Sequence, residues 1–257
     1  MRDGADHEGG GGDDVLWLRA PRAHAHEVSV VTLVADRDRY ARMRASARAH
    51  GFDRRAQFVA LDNTDGNRWD GYDGLRRALP DCTGRYVLWT HDDVEFAQDG
   101  LDDLLGLLAD LDRRDPAWAL AGNAGTRRGG GRKAIVMHAT DPERSRRIAE
   151  PVEVDSLDEC FFVMRRDRPV PTSFGLEGFH LYASDMVLNA EALGGTAWAI
   201  PFHVRHHSAG RVDAAFDAAR AAFRARHAPY NPGRVYRTPN TSMRFGYGAL
   251  LRHRPLI

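Results

Sequence analysis

Two groups of polar residues in this chain have the types and spacing needed to bind a metal ion. Residues 91–93 read His-Asp-Asp, and carboxylate oxygens beside an imidazole suit a divalent cation such as Mg²⁺ or Mn²⁺ that holds a diphosphate. The second group is His203, His206 and His207. Neighbouring residues of an extended segment point to opposite faces, so we expect only one of His206 and His207 to face the metal. The alternative for each histidine is an ordinary hydrogen-bonded residue, but two such groups in one chain favour a metal site.

Acidic residues follow three short apolar segments that the sequence predicts to be strands. The segments and the acids that follow them are 28–34 with Asp36, 57–61 with Asp62, and 85–90 with Asp92 and Asp93. Helical patterns separate the segments, which indicates a mostly parallel sheet with crossover helices. The carboxyl ends of such strands line the ligand crevice of an open sheet. An aspartate there can also cap the next helix. We favour this helix-cap role for Asp36, but not for Asp92 and Asp93.

The composition argues against several classes of protein. The formal net charge is zero and the isoelectric point is near 7.2, which does not fit a strongly basic nucleic-acid-binding domain. Two cysteines, Cys82 and Cys160, do not make a disulfide framework or a cysteine-based zinc site. No apolar run approaches the roughly 20 residues of a transmembrane helix, and residues 1–14 are rich in glycine and aspartate instead of resembling a signal peptide. We therefore expect a cytoplasmic protein without a transmembrane segment.

Four segments, taken in order, resemble one enzyme family. Residues 61–66 (Leu-Asp-Asn-Thr-Asp-Gly) resemble a "D-(D/N)-(S/T)-x-D-G" turn, and residues 84–94 resemble "G-x-Y-(V/I)-(L/V)-x-x-(D/H)-x-D". They are followed by residues 178–185 (Gly-Phe-His-Leu-Tyr-Ala-Ser-Asp) and by "H-H-S-x-G" at 206–210. This order resembles the family-2-like, nucleotide-sugar-dependent glycosyltransferases of the GT-A fold. It is most similar to a bacterial subgroup whose acidic motif begins with histidine.

The resemblance implies a fold and a domain organisation. The fold would be a GT-A-like (Rossmann-like) α/β three-layer sandwich with a mostly parallel central sheet. Residues 27–211 would form this glycosyltransferase domain, and residues 212–257 would add a C-terminal helix and an extended tail that pack on the same domain. Residues 1–26 would form a disordered or poorly ordered tail.

The resemblance also assigns residues to the donor and to the metal. Asp62 would read the nucleotide base, usually uracil. The other nucleotide-binding residues would be Thr32, Val34, Asp36 and Asp92, although Asp92 holds the variable position of its motif and can point away. Asp93 would be the main ligand of Mn²⁺ or Mg²⁺, and His206 or His207 would supply the distant ligand. His91 replaces the usual first aspartate, so it would face either the ribose or the metal, the latter through a water.

Asp185 resembles the carboxylate at the start of the acceptor-side helix, where it would act as the catalytic base. The alternative is a simple helix cap. The aromatic residues Phe179, His180 and Tyr182 could stack on an acceptor sugar. Asp158 and Glu159 are further acceptor-side candidates, but we favour a solvated turn for that pair.

The function that follows is a metal-dependent, inverting transfer of a sugar from a nucleotide-sugar donor, UDP-linked by resemblance, to an acceptor hydroxyl. The acceptor would be a sugar, a lipid-linked molecule or a peptide, and no nucleic-acid partner is expected. The alternative is an inactive nucleotide-sugar-binding protein of the same fold. A nucleotidyltransferase ranks last, because the first strand is followed by residues 35–38 (Ala-Asp-Arg-Asp) without a glycine-rich loop.

Overall fold

The computed structural model describes residues 23–128, 133–134, 148–208 and 213–246. The helices are α1 (Arg37–Ala49), α2 (Asp73–Ala78), α3 (Leu101–Arg114), α4 (Tyr182–Ala192) and α5 (Ala214–His227). The strands are β1 (His26–Val34), β2 (Ala56–Asp62), β3 (Gly84–Thr90), β4 (Val94–Phe96), β5 (Trp118–Gly122), β6 (Gly125–Arg127), β7 (Lys133–Ala134), β8 (Val152–Leu157), β9 (Phe161–Arg165), β10 (Thr196–Ala199), β11 (Val204–His206), β12 (Val235–Arg237) and β13 (Ser242–Arg244). No helix in these ranges is long and apolar enough to cross a membrane.

Nine of the described strands form one sheet in the order β2-β1-β3-β9-β5-β10-β8-β6-β7. Strands β1, β2 and β3 are mutually parallel, and β10 is parallel to β5. The prediction of a mostly parallel α/β sheet is therefore confirmed. Strand β9 interrupts the parallel part of the sheet. It lies between β3 and β5 and runs antiparallel to both.

The antiparallel direction of β9 brings its amino end to the carboxyl edge of the sheet. Phe161, at the start of β9, pairs with Thr90 at the end of β3. Residues 158–160, which connect β8 to β9, therefore lie at the same edge as the polar residues that follow β3.

Helices cover both faces of the sheet. Met43 and Ala47 of α1 and the buried leucines of α3 belong to one hydrophobic cluster. Helices α2 and α4 pack into a second cluster, which also contains Phe223 of α5 and Tyr236 of β12. The C-terminal helix and the hairpin of β12 and β13 thus share a core with the sheet. Of the expected tail at 1–26, residues 1–22 lie outside the described residues.

Candidate functional site

A cavity of about 530 Å³ lies at the carboxyl edge of the sheet. Its walls come from the ends of the parallel strands, from the segments before β9 and α4, and from the C-terminal region. The lining residues used below are Ala35, Arg39, Asn63, His91, Asp92, Asp93, Asp158, Glu159, Phe179, His180, Tyr182, His206, Ser208, Asp213 and Asn240. This volume falls within the range of small-molecule sites, which is about 300–1,000 Å³.

Three side chains from the two predicted groups converge in this cavity. One nitrogen of each of His91 and His206 and one carboxylate oxygen of Asp93 lie within 4.8 Å of one another. His206 Nε2 is 3.2 Å from Asp93 Oδ1 and 3.3 Å from His91 Nδ1. Ligand atoms that lie about 2.1 Å from a common ion are about 3 to 4 Å apart. The trio, which we call the metal trio, thus has suitable ligand atoms at a suitable spacing.

A small antiparallel ribbon brings the distant histidine to the motif after β3. Strand β4 pairs with β11, with His206 opposite Val94. The backbone N–H of His207 donates a hydrogen bond to the carbonyl of Asp93, at 3.1 Å. Because side chains alternate along a strand, this register turns His206 towards Asp93 and turns His207 away.

The side chain of His207 lies outside the metal trio. It is 53% exposed, and its Nε2 is 3.0 Å from Glu95 Oε2. Of the two histidines, of which we expected only one to face the metal, the structure places His206 in the metal trio and His207 outside it. His203 pairs with Asp99 at 2.6 Å and does not line the cavity.

The electrostatics of the metal trio suit a cation. Burial, together with the neighbouring His206, lowers the pKa of His91 to about 4, so that its imidazole is neutral at pH 7 and can offer a lone pair. Burial alone would raise the pKa of Asp93, but hydrogen bonds with His206 and Ser208 outweigh it and hold that pKa well below the ordinary value. Burial alone would lower the pKa of His206. The hydrogen bond with Asp93 and the negative charge of Asp93 outweigh burial, so the pKa of His206 lies above its usual value.

Asp92 lines the cavity and also holds the turn between β1 and α1. Its Oδ2 accepts hydrogen bonds from the backbone N–H groups of Ala35 and Asp36, at 2.9 and 3.0 Å. Arg39 reaches the same oxygen at 3.4 Å. Burial raises the pKa of Asp92. The side chain therefore joins the ends of β1 and β3, and Arg39 brings a positive charge to the cavity wall.

Two of the predicted nucleotide-binding residues lie on the wrong face of β1. Thr32 and Val34 are buried and do not line the cavity. Side chains alternate along a strand, so the cavity instead receives Leu33 and Ala35. Each cavity-lining residue is thus one position away from a residue that was predicted to line the site.

Asp36 and Asp62 have local partners. Asp36 caps α1, because its side chain accepts hydrogen bonds from the N–H groups of Asp38 and Arg39. This is the helix-cap role that we favoured for Asp36 on the sequence. Asp62 accepts hydrogen bonds from Thr64 and from Arg37, at 2.7 and 2.9 Å. These contacts, led by those from Thr64, lower the pKa of Asp62. Neither aspartate lines the cavity, but Asn63, the residue after Asp62, does.

The five predicted acceptor-side residues all line the cavity: Phe179, His180, Tyr182, Asp158 and Glu159. The ring of Phe179 is 40% exposed, whereas Tyr182 is buried. The Tyr182 hydroxyl accepts a hydrogen bond from Trp89 Nε1 at 2.9 Å and lies 3.3 Å from His91 Nε2. Tyr182 thus connects the acceptor side to the metal trio.

The predicted catalytic base, Asp185, does not face the cavity. It is 0% exposed and is absent from the cavity wall. Its Oδ1 lies 2.7 Å from His227 Nε2, and its Oδ2 accepts from the backbone N–H of Ser173 at 2.6 Å. The expectation that this carboxylate meets a substrate is not met, because it joins α4 to α5 inside the core.

The sequence did not reveal the contribution of the C-terminal region to the site. The missed lining residues include Arg39, Asn67, Asp213, Phe216, Thr238, Pro239 and Asn240. Arg39 could have been found, since it lies in the first turn of the helix that follows β1. Asn67 directly follows the 61–66 turn. The remaining five come from a C-terminal segment that has no motif, and only the packing of α5 and the hairpin places them at the cavity.

Comparisons with known proteins address the family and the fold. No protein-family model matches the chain. The solved structures that align with it include two glycosyltransferases. The mannosyltransferase PcManGT from Pyrobaculum calidifontis, in complex with GDP-Man and Mn²⁺, matches 86% of this chain and 69% of its own, with a TM-score of 0.55 and 14% identity. GalNAc-T7 with UDP, GalNAc and Mn²⁺ matches 78% of this chain, with a TM-score of 0.55 and 10% identity. This chain spans about half of GalNAc-T7, with 47% of that chain covered.

At these identities the likeness shows the fold, which is of the GT-A type. A curated protein gives a much closer match in sequence. "ATP synthase subunits region ORF 6" of Fuscovulum blasticum is 39% identical over 213 residues, which cover 80% of this chain and 86% of that protein. This chain therefore belongs to the family of the Fuscovulum blasticum ATP synthase subunits region ORF 6 protein.

Proposed function

We propose that this protein transfers a sugar from a nucleotide-sugar donor to an acceptor hydroxyl with the help of a divalent metal ion. The observation that carries the proposal is the metal trio, His91, Asp93 and His206, in the cavity at the carboxyl edge of a GT-A-type sheet. The complexes of the two solved neighbours contain UDP or GDP-Man together with Mn²⁺. The motif order at 61–66, 84–94 and 206–210 supports membership of the bacterial family-2-like subgroup.

The donor set favours Mn²⁺ over Mg²⁺. Mg²⁺ prefers oxygen ligands in a near-ideal octahedron, whereas the metal trio offers two imidazole nitrogens and one carboxylate. When bound, the ion would neutralise charge on the departing diphosphate. The residues His91, Asp93 and His206 would hold it on one side and leave the cavity side open to the donor.

Arg39 is placed to bind the phosphates of the donor. It lines the cavity, and the side chain keeps 39% of its surface exposed although it touches Asp92. A guanidinium has the fork geometry that suits phosphate oxygens. The nucleotide base would then lie towards the ends of β1 and β2, near Ala35 and Asn63, with Asp62 at its rim. We propose a UDP-linked donor on the resemblance of the 61–66 turn.

A thermal-shift screen of the whole chain tests the proposal. UDP, GDP, UDP-glucose, UDP-N-acetylglucosamine and GDP-mannose would each be added with and without Mn²⁺. A ligand that binds the native state at 100 times its Kd stabilises it by about 2.7 kcal/mol, so we expect at least one Mn²⁺-dependent rise in melting temperature. No Mn²⁺-dependent rise with any of the five would refute the proposal.

One observation favours the alternative of a binding protein without transfer. Asp185, the residue that resembles the family's base, is buried against His227. Release of the nucleoside diphosphate from the stabilising donor, with water as the acceptor, separates the two functions. Slow release supports the transferase, and tight binding without any release supports the binding protein.

Phe179 is expected to contact the acceptor, and Phe174 provides a matched control on the same segment. Both rings are exposed, by 40% and 77%, but only Phe179 lines the cavity; Phe174 covers the guanidinium of Arg76 at 4.5 Å. Phe179→Ala should raise the KM for the acceptor about tenfold, since the loss of a stacked ring costs roughly 1.4 kcal/mol. The KM for the donor should not change. Initial rates with a panel of methyl hexopyranosides measure both constants.

Phe174→Ala should leave both constants within twofold of the wild type. An equal loss in the two variants would show that the segment matters only for stability. A change in the KM for the donor in Phe179→Ala would instead place the ring beside the nucleotide sugar.

A further inference from the structure

The segment that enters β9 lies beside the metal trio, although it is distant in sequence. Because β9 runs antiparallel to β3, Glu159 precedes the strand at the carboxyl edge of the sheet. The Tyr182 hydroxyl lies 3.4 Å from the carbonyl of Glu159 and 3.3 Å from His91 Nε2. One tyrosine thus spans the distance between the Glu159 backbone and the metal trio.

A strained backbone residue lies beside Glu159. The backbone N–H groups of Glu159 itself and of Leu181 favour the charged form of the Glu159 carboxyl group, although burial outweighs them in its pKa. Leu181 has a φ of 66°, and it is the only non-glycine residue of the described ranges with a positive φ. Such a conformation costs about 1–3 kcal/mol and tends to occur at functional sites. The strained residue and Glu159 both line the cavity.

Other carboxylates of the cavity have roles that exclude them. Asp93 belongs to the metal trio, and Asp92 holds the turn after β1. Asp213 caps α5 through the N–H of Phe216. Asp158 is the nearest rival, but one of its oxygens already accepts from the N–H of Cys160 at 3.0 Å. Glu159 is half-buried, lines the cavity and has a side chain that is one methylene longer.

We propose that Glu159 is the catalytic base of the transfer, an inference that rests on the proposed function. Its carboxylate takes the proton of the acceptor hydroxyl while the acceptor oxygen bonds to the anomeric carbon. The bond from that carbon to the diphosphate breaks, and the nucleoside diphosphate leaves with the electron pair. Glu159 then returns its proton to water. Attack on the face opposite the leaving group inverts the anomeric configuration.

The surroundings of Glu159 suit a base that works near neutral pH. Burial, and then the neighbouring charge of Asp158, raise its pKa to about 8. The other titratable groups that face it are Cys160, Tyr182 and Tyr72. A base works best when its pKa lies near the working pH. Only the ionised carboxylate can accept a proton, so the rate should fall as the pH decreases through this pKa.

Glu159→Gln tests the assignment, with Asp158→Asn as the matched control on the neighbouring residue. Glutamine keeps the size of glutamate and one side-chain oxygen acceptor, so the loop should keep its conformation. The assay is the Mn²⁺-dependent release of UDP from UDP-glucose, or of GDP from GDP-mannose, whichever donor stabilises the wild type. We expect Glu159→Gln to lower kcat by about 100-fold or more, to abolish the fall in rate at low pH, and to leave donor Kd within twofold. Glu159→Asp should be slow but should keep the pH dependence.

The outcomes separate this inference from the proposed function. If wild-type protein binds no donor with Mn²⁺, the proposed function fails and the inference fails with it. If the wild type binds and turns over, the inference is overturned by a Glu159→Gln rate within threefold of normal. It is equally overturned if Asp158→Asn, instead of Glu159→Gln, removes both turnover and the pH dependence. Binding by the wild type without any turnover would also contradict it.

Discussion

His206→Ala is expected to weaken the Mn²⁺-dependent binding of a nucleoside diphosphate by about 100-fold or more. Loss of a group that merely supports a metal ligand costs 10–100-fold in metal affinity, so loss of a direct ligand should reach at least the upper end of this range. His206 is the member of the metal trio that comes from β11, whereas His91 and Asp93 follow β3. Binding of the same diphosphate without Mn²⁺ should be unaffected.

The neighbouring histidine supplies the control. His207→Ala removes an imidazole from the same ribbon, but the lost contact is with the exposed Glu95, and the backbone N–H that donates to Asp93 remains. Isothermal titration of UDP and GDP, with and without Mn²⁺, would measure both variants. Equal losses in His206→Ala and His207→Ala would contradict the assignment of the metal trio, as would an unchanged Mn²⁺-dependent affinity in His206→Ala.

The choice between these two histidines shows where the sequence stops being informative. The motif at 91–93 could be found from residue types alone, because strands of a parallel sheet must deliver their following residues to one edge. The register of β4 against β11 could not be found in this way, since a shift of one residue would exchange the faces of His206 and His207. The same two-residue period explains why Thr32 and Val34 were predicted in place of Leu33 and Ala35.

The acceptor side depends on contacts between distant segments. Asp158 and Glu159 look like a solvated turn in the sequence, because nothing local shows that β9 enters the sheet between β3 and β5 in the antiparallel direction. Asp185 lies in the first turn of a helix, at the helix start where it was predicted, but its carboxylate is directed at His227, at the end of α5. The sequence thus predicted the edge of the sheet at which the cavity lies, but not which acidic residues line it.

Asp185 is therefore expected to act on stability. Asp185→Ala should lower the free energy of unfolding by about 2–5 kcal/mol, since each buried hydrogen-bonding group left without a partner costs roughly 1–3 kcal/mol. It would leave His227 and the backbone N–H of Ser173 without an acceptor inside the core. Urea denaturation measures the change, and the exposed Asp217 of α5, which pairs with Arg220 on the surface, provides the control. Asp217→Ala should alter the free energy by no more than about 0.5 kcal/mol.

A double-mutant cycle and an isosteric variant complete this prediction. The ring of His227 lies among aromatic neighbours, with its centroid 4.6 Å from that of Phe223. His227→Phe should destabilise the protein, because it leaves Asp185 buried without this partner, but combined with Asp185→Ala it should cost less than the sum of the two single changes. Asp185→Asn keeps an oxygen that can accept from His227, so it should retain most of the stability and the wild-type rate of donor turnover. A loss of turnover of about 100-fold in Asp185→Asn, with unfolding unchanged, would return Asp185 to the role of catalytic base, since no structural contact would then explain the effect.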